Sequence, residues 1–239
     1  MSVTVEEEIP DPTPLSRQAV GVDLGVKALA TLSDGTIIAN PRNLGRKLRK
    51  LRYLHKSMSR KKKGSKNYEK AKLGLAKMYL RVFNIRQDTL HKLTTYLAKS
   101  HSRAVIEDLC VSGMMKNRKL ARAIMDSGFY EFRRQLEYKC QWYGTQLMVA
   151  PRTFPSSKLC SHCGHKKTEF SLSEREYECE QCGLRIDRDL NAALNLVAAS
   201  WSETENACGE EVRLLTDSMS LEKAASVKQE PNIIHDCNV

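Results

Sequence analysis

The sequence predicts a layered α/β domain with a small cysteine module set into it. Short β-rich runs cluster near the start and return later, at Arg103–Glu107 and Gln146–Ala150. Stretches with helical apolar spacing separate them. A strand meander followed by helices and further strands suits an α/β or α+β layer arrangement. The third observation is a pair of C-x2-C motifs with 15 residues between them.

The elements follow in order. Residues 1–17 hold three prolines and no periodic pattern, and read as a linker or N-terminal remnant. Ala19–Leu24, Ala28–Leu32 and Thr36–Ala39 are β-rich runs broken by Gly25 and by the Asp34-Gly35 turn, a three-strand meander. Leu44, Leu48, Leu51, Leu54 and Met58 then recur at spacings of three and four. After Lys61-Lys62-Lys63-Gly64-Ser65 the pattern resumes with Leu75, Met78, Val82, Ile85, Leu93 and Leu97, which predicts a helical hairpin over 42–100. Arg103–Glu107 is a fourth strand and Gln146–Ala150 a fifth. Between them, Phe129, Phe132, Leu136 and Cys140 mark the apolar face of a helix over Phe129–Trp142. The cysteine module occupies 156–186, an Ala/Leu-rich helix 187–201, and an acidic tail without regular structure 202–239.

Composition limits what such a chain can do. It has 239 residues, of which 41% are hydrophobic and 28% charged, so a core can be buried. No run approaches the ~20 apolar residues of a membrane span, and the opening MSVTVEEEIP lacks the basic and apolar regions of a signal peptide. Membrane and secreted classes are therefore disfavoured, and a cytoplasmic location is expected. The formal net charge of +11 points to a polyanionic partner.

That charge is concentrated. Residues 42–86 hold 17 Lys/Arg and a single acid, Glu69, whereas both ends of the chain are acidic. Like charges at i,i+4 repel, so this is a poor design for a merely solvated helix face. Phosphates suit it, because each one neutralised releases condensed counterions. Arg46, Lys47, Arg49, Lys50, Arg52, Arg60, Lys61, Lys62 and Lys63 are the expected nucleic-acid-binding residues.

Cys160, Cys163, Cys179 and Cys182 form the two C-x2-C pairs, each followed by a glycine, Gly164 or Gly183. Reduced thiols at this spacing read as a Zn²⁺ site. Four protein thiolates leave no open coordination position, so the zinc would be structural. His162 and His165 read as surface residues or as hydrogen-bond donors supporting the thiolates, and Cys140 as core. Acids form a second constellation. Asp23 ends an apolar strand, Glu107 ends another with Asp108 behind it, and Asp187 and Asp189 stand where the cysteine module meets the last helix. Carboxylates that converge need cations, and hard oxygen ligands favour Mg²⁺ or Mn²⁺. Each residue also has a plainer reading as turn cap, solvated strand end or helix N-cap.

These motifs together resemble a known family. Gly21-Val22-Asp23-Leu24-Gly25, Ile106-Glu107-Asp108-Leu109, the two cysteine pairs and Asp187-Arg188-Asp189-Leu190-Asn191-Ala192-Ala193 occur in the order seen in the TnpB (OrfB) transposon-associated proteins. Pro155-Ser156-Ser157, Asn206-Ala207-Cys208-Gly209-Glu210 and the Asn84, Arg86, Asp88, His91-Lys92 set are similar too. That family comprises RuvC-like, RNA-guided DNA nucleases akin to type V CRISPR effectors. The resemblance implies an RNase H-like (RuvC-like) mixed sheet over 18–155 with flanking helices and the basic hairpin, a zinc ribbon at 156–186, and a last core helix at 187–201. It implies Asp23, Glu107 and Asp189 as catalytic Mg²⁺ or Mn²⁺ ligands, DNA as substrate and a guide RNA as partner. It also implies a chain carrying the nuclease half without the family's long N-terminal half. The competing expectation is a non-catalytic zinc-ribbon protein that binds DNA or RNA.

Overall fold

The computed structural model describes residues 18–168 and 174–208, the last nine of them as helix backbone. The expected linker at 1–17 and residues 209–239 of the expected tail lie outside the described residues. Apolar β-branched residues put β1 at Ala19–Leu24 and β2 at Ala28–Leu32, with β3 at Ile37–Ala39. They pair antiparallel in sequence. β4 (Arg103–Glu107) lies parallel to β1, and β5 (Gln146–Ala150) parallel to β4. The result is a mixed five-stranded sheet of order β3-β2-β1-β4-β5.

Side chains alternate across a strand, and each face has its own cover. Val20, Val22, Ala104 and Ile106 pack against Leu90, Leu93 and Leu97 of α2 (Lys66–Ser100) and against Phe132, Leu136 and Cys140 of α5 (Phe129–Tyr143). Lys139, buried in that layer, donates to the His91 carbonyl and to the Thr94 and Thr95 hydroxyls at 2.7–2.8 Å. Burial of an ammonium is tolerated only with such acceptors, and it lowers the Lys139 pKa. On the other face Val105 and Ala150 meet Leu196 of α6 (Arg188–Cys208).

Gly21 explains how closely α6 approaches. A Cβ there would stand 2.0 Å from the Ala193 carbonyl oxygen. Only glycine lets the helix backbone lie on β1, and this fixes the height of the first turn of α6 above the strand ends.

α1 (Asn43–Ser59) and the first half of α2 form the basic hairpin. Leu51, Leu75 and Val82 are the buried seam, and Ser65 caps α2 by accepting from the Tyr68 amide at 3.2 Å. The N-terminus of α1 is held from outside, by the Asp126 carboxylate accepting from the Leu44 amide. Arg86 pairs with the same carboxylate at 3.3 Å.

Four elements are additional to the sequence reading: α3 (Val111–Met115), α4 (Ala121–Ser127), and β6 (Glu176–Glu178) paired antiparallel to β7 (Arg185–Asp187). They are too short for a period to show. α6 also runs past the expected boundary at 201 to Cys208, immediately before Gly209; no glycine or proline interrupts 188–208.

Candidate functional site

The cysteine module is built from two matching turns. Gly164 and Gly183 take φ of +73° and +72°, a left-handed conformation that suits glycine. Each closes its knuckle by donating to the carbonyl of the first cysteine, Gly164 to Cys160 at 2.9 Å and Gly183 to Cys179 at 3.0 Å. The first cysteines donate in turn to the His165 and Leu184 carbonyls, both at 2.9 Å. The four ligand sulfurs lie within 4.8 Å of one another, close enough to hold one metal ion. Tyr177 is fully buried beneath them, and its hydroxyl donates to the Lys158 carbonyl at 3.2 Å. His162 is exposed and His165 half-buried.

α6 clamps this module to the sheet. Asn191 accepts from the Ser161 amide at 3.0 Å and donates to the Leu159 carbonyl at 2.7 Å. Asn195 donates to the Ser156 and Leu159 carbonyls at 2.7 and 2.8 Å. Both asparagines are buried with their polar groups matched, which makes the clamp specific.

The acidic residues meet at the C-terminal ends of β1 and β4. Val22 and Ile106 are register partners in parallel strands, so Asp23 and Glu107 follow them side by side. Both belong to the α6 face, because Gly21 and Val105, two residues earlier, meet α6. Asp189 lies in the first turn of α6. Burial, then the negative charges of Glu107 and Asp189, push the Asp23 carboxyl up to about 7 from an ordinary 3.8; the Arg188 guanidinium opposes them. A cavity of about 390 Å³ opens here, lined by Asp23 and Asp189 with Lys27, Lys158, Arg175 and Arg188.

The acids are less tightly gathered than the cysteines. Among the described residues only the cysteine quartet brings its ligand atoms within 4.8 Å. Two of the carboxylates are engaged by protein partners. The buried Ser156 hydroxyl donates to Glu107 Oε1, and Arg188 donates to Asp189 Oδ1 at 2.9 and 3.0 Å. Asp187 is the N-cap of α6, accepting from the Asp189 and Leu190 amides at 2.9 and 3.1 Å. Asp108 accepts from Arg133 and Arg152, each at 2.7 Å. Ser156, Asn195, Arg188 and Lys27 acquire their places only through tertiary contacts. The Pro155-Ser156-Ser157 motif signalled Ser156 and the Asp187–Ala193 motif contained Arg188, whereas Asn195 and Lys27 had no sequence signal.

Of the nine basic residues expected to bind nucleic acid, Arg46, Lys47, Arg49, Lys50 and Arg52 stand on α1, and Arg60, Lys61, Lys62 and Lys63 in the turn after it. None pairs with a described carboxylate. Among the described residues no helix is long and apolar enough to cross a membrane.

The described residues thus form a mixed α/β domain with four thiols close enough to hold a metal ion, carboxyls at the strand ends and a cationic hairpin. The comparisons narrow its class. Residues 2–118 match the OrfB_IS605 family model, described as "Probable transposase", and residues 129–196 match the Cas12f1-like TNB domain. A Streptomyces pristinaespiralis protein named "Putative RNA-guided DNA endonuclease" is 45% identical over 97% of this chain and 56% of its own length. InsQ of Escherichia coli K12, of the same description, is 38% identical over 89% of this chain and 56% of its own. The chain is thus a relative of the TnpB/OrfB proteins, and it spans about half the length of these curated relatives. The fold is similar to part of Cas12f1: a solved Cas12f1–sgRNA–target DNA complex matches with a TM-score of 0.54 at 18% identity, covering 81% of this chain and 52% of that one. A CRISPR–Cas12f ternary complex matches with the same score at 22% identity, over 82% and 41%.

Proposed function

We propose that this chain carries the nuclease machinery of a TnpB-type, RNA-guided DNA endonuclease, on an RNase H-like (RuvC-like) core at 18–155 and 187–201. In this reading Asp23, Glu107 and Asp189 hold Mg²⁺ or Mn²⁺, and Cys160, Cys163, Cys179 and Cys182 hold a structural zinc in a ribbon at 156–186. The basic hairpin engages DNA and guide RNA, in the cytoplasm. The curated relatives' names support the class of activity. The observation that carries the site is Asp23, whose carboxyl is driven toward neutrality by burial and then by the charges of Glu107 and Asp189 from other elements. Three carboxyls on one face suit hard divalent cations, which supply an activated water and stabilise the departing oxygen of a phosphodiester.

The chain's own residues have distinct tasks. Asp23 and Glu107 are fixed by the sheet, and Asp189 rides on a helix whose N-terminal field favours its charge. Ser156 holds one Glu107 oxygen and leaves the other for a cation. Arg188 neutralises Asp189 from the protein side. Lys27, Lys158 and Arg175 line the cavity with positive charge suited to a phosphate.

One observation favours the second reading, a non-catalytic binder: Glu107 and Asp189 are already satisfied by protein partners. A Mg²⁺-dependent nicking assay on single- and double-stranded DNA, with and without guide RNA, separates the two. Nicking that disappears in Asp23→Ala, with binding intact, supports the nuclease. Binding that falls steeply with salt but yields no metal-dependent product supports the binder.

A further inference from the structure

A second cavity, of about 410 Å³, shares Leu24 with the one at Asp23 and Asp189. Glu107 faces the second while Asp23 and Asp189 face the first. Its floor is apolar: Leu24 and Ile106 from the strand ends, Leu109 and Val111 from the segment leading into α3, and Phe129 from α5. At its rim stands Tyr130, 72% exposed. Arg133, three residues on in the same helix, and Arg152 line it too; Asp108, the residue after Glu107, holds both guanidiniums at 2.7 Å, and Glu137 pairs with Arg133 at 3.0 Å.

The size is within the range of ordinary small-ligand sites. Apolar walls with an aromatic rim suit a flat, unpaired base, because every nucleobase presents a π-face. A duplex could not use this slot, since its bases are stacked and paired. The two arginines, already oriented by Asp108, give the same cavity guanidinium groups suited to a phosphate of that strand. Leu24 lines both cavities and Glu107 faces this one, so the nucleotide taken up would lie beside the phosphate at Asp23 and Asp189.

We infer that this cavity is a nucleobase subsite: it receives the unpaired base of the nucleotide flanking the phosphate presented to Asp23, Glu107 and Asp189. The inference rests on the nuclease reading above and adds its substrate form, a single strand with one base withdrawn from stacking. It gives the cluster a means of registering the strand by a base rather than by charge alone.

The test uses the full zinc-loaded chain, single-stranded DNA, and a set of strands in which one abasic position is walked along the sequence. Cutting with Mg²⁺ at the phosphate beside the abasic position is expected to fall about tenfold relative to other phosphates of the same strand, the usual effect of losing one stacked base. Val111→Trp fills the slot and should abolish that discrimination. Tyr130→Ala, on an exposed side chain that cannot compromise folding, should reduce it several-fold. A 2-aminopurine placed beside the cut position, in Ca²⁺, should lose fluorescence with the unaltered chain and keep it with Val111→Trp. Uniform cutting along the abasic strands, or discrimination that persists in both variants, overturns the subsite and leaves the nuclease standing. Absence of any divalent-dependent cutting overturns both.

Discussion

The cysteine quartet and the acidic strand ends are both candidate metal centres, and the chain assembles them to different degrees. The thiols are gathered within 4.8 Å by local turns, each closed by its own glycine and backbone hydrogen bonds. The carboxyls come from three distant segments, repel one another and rest partly on Ser156 and Arg188. A soft, closed site is thus specified by local sequence. The hard site exists as a concentration of like charge that tertiary structure enforces and a cation would relieve. Disruption should therefore act locally on the first and reveal stored repulsion in the second.

The largest effect is expected at the quartet. Cys179→Ala should release the zinc, measured with a chromophoric chelator, and lower Tm by on the order of 10 °C, because a structural zinc contributes directly to folding. A variant that keeps one zinc per chain and its Tm would erase the contrast. Gly21→Ala should come next. Its methyl would collide with the Ala193 carbonyl, so a loss of about 3 kcal/mol in denaturant unfolding is expected. Since α6 carries Asp189, both candidate centres should suffer.

Asp23→Asn sharpens the comparison by its sign. The folded pKa is raised from 3.8 to about 7, so between those values the folded chain keeps a proton that the unfolded chain has lost. Stability without Mg²⁺ or Mn²⁺ should fall as pH rises through that window and level off above it. Asp23→Asn should remove the fall, gaining about 2 kcal/mol at pH 8 while abolishing cutting. Destabilisation at pH 8 would show that no repulsion is stored there. The smallest effect concerns Ser156→Ala, which frees Glu107 to turn. Apparent Mn²⁺ affinity, followed by titration calorimetry, should weaken about tenfold, and Ser156→Thr should recover part of it. Unchanged affinity would remove Ser156 from the support of the acidic site.

The same contrast governs what could be read in advance. β1, β2, β4 and β5 fall where apolar runs met Gly25, a turn or a strand-end acid, and the knuckle glycines were legible from their place after each cysteine pair. Period-based reading needs length, so the five-residue α3 and the three-residue β6 and β7 left no signal. Asp187 could be read as ligand or cap, and only the placement of its carboxylate on the Asp189 and Leu190 amides distinguishes it as the cap. Asp108 sits beside Glu107 in sequence yet turns to Arg133 and Arg152, partners 25 and 44 residues away. Asn191 stood inside the Asp187–Ala193 motif without a role, and Asn195 looked like an ordinary helix residue, because a clamp on Ser156 and Leu159 has no local signature.

The central claim, that three distant acids share one set of hard cations, is tested most directly by anomalous scattering from crystals of the zinc-loaded chain soaked in Mn²⁺. The account predicts manganese peaks bonded at about 2.1 Å to oxygens of Asp23, Glu107 and Asp189. An empty acidic cavity, or a peak that any one of the three residues fails to touch, would contradict it.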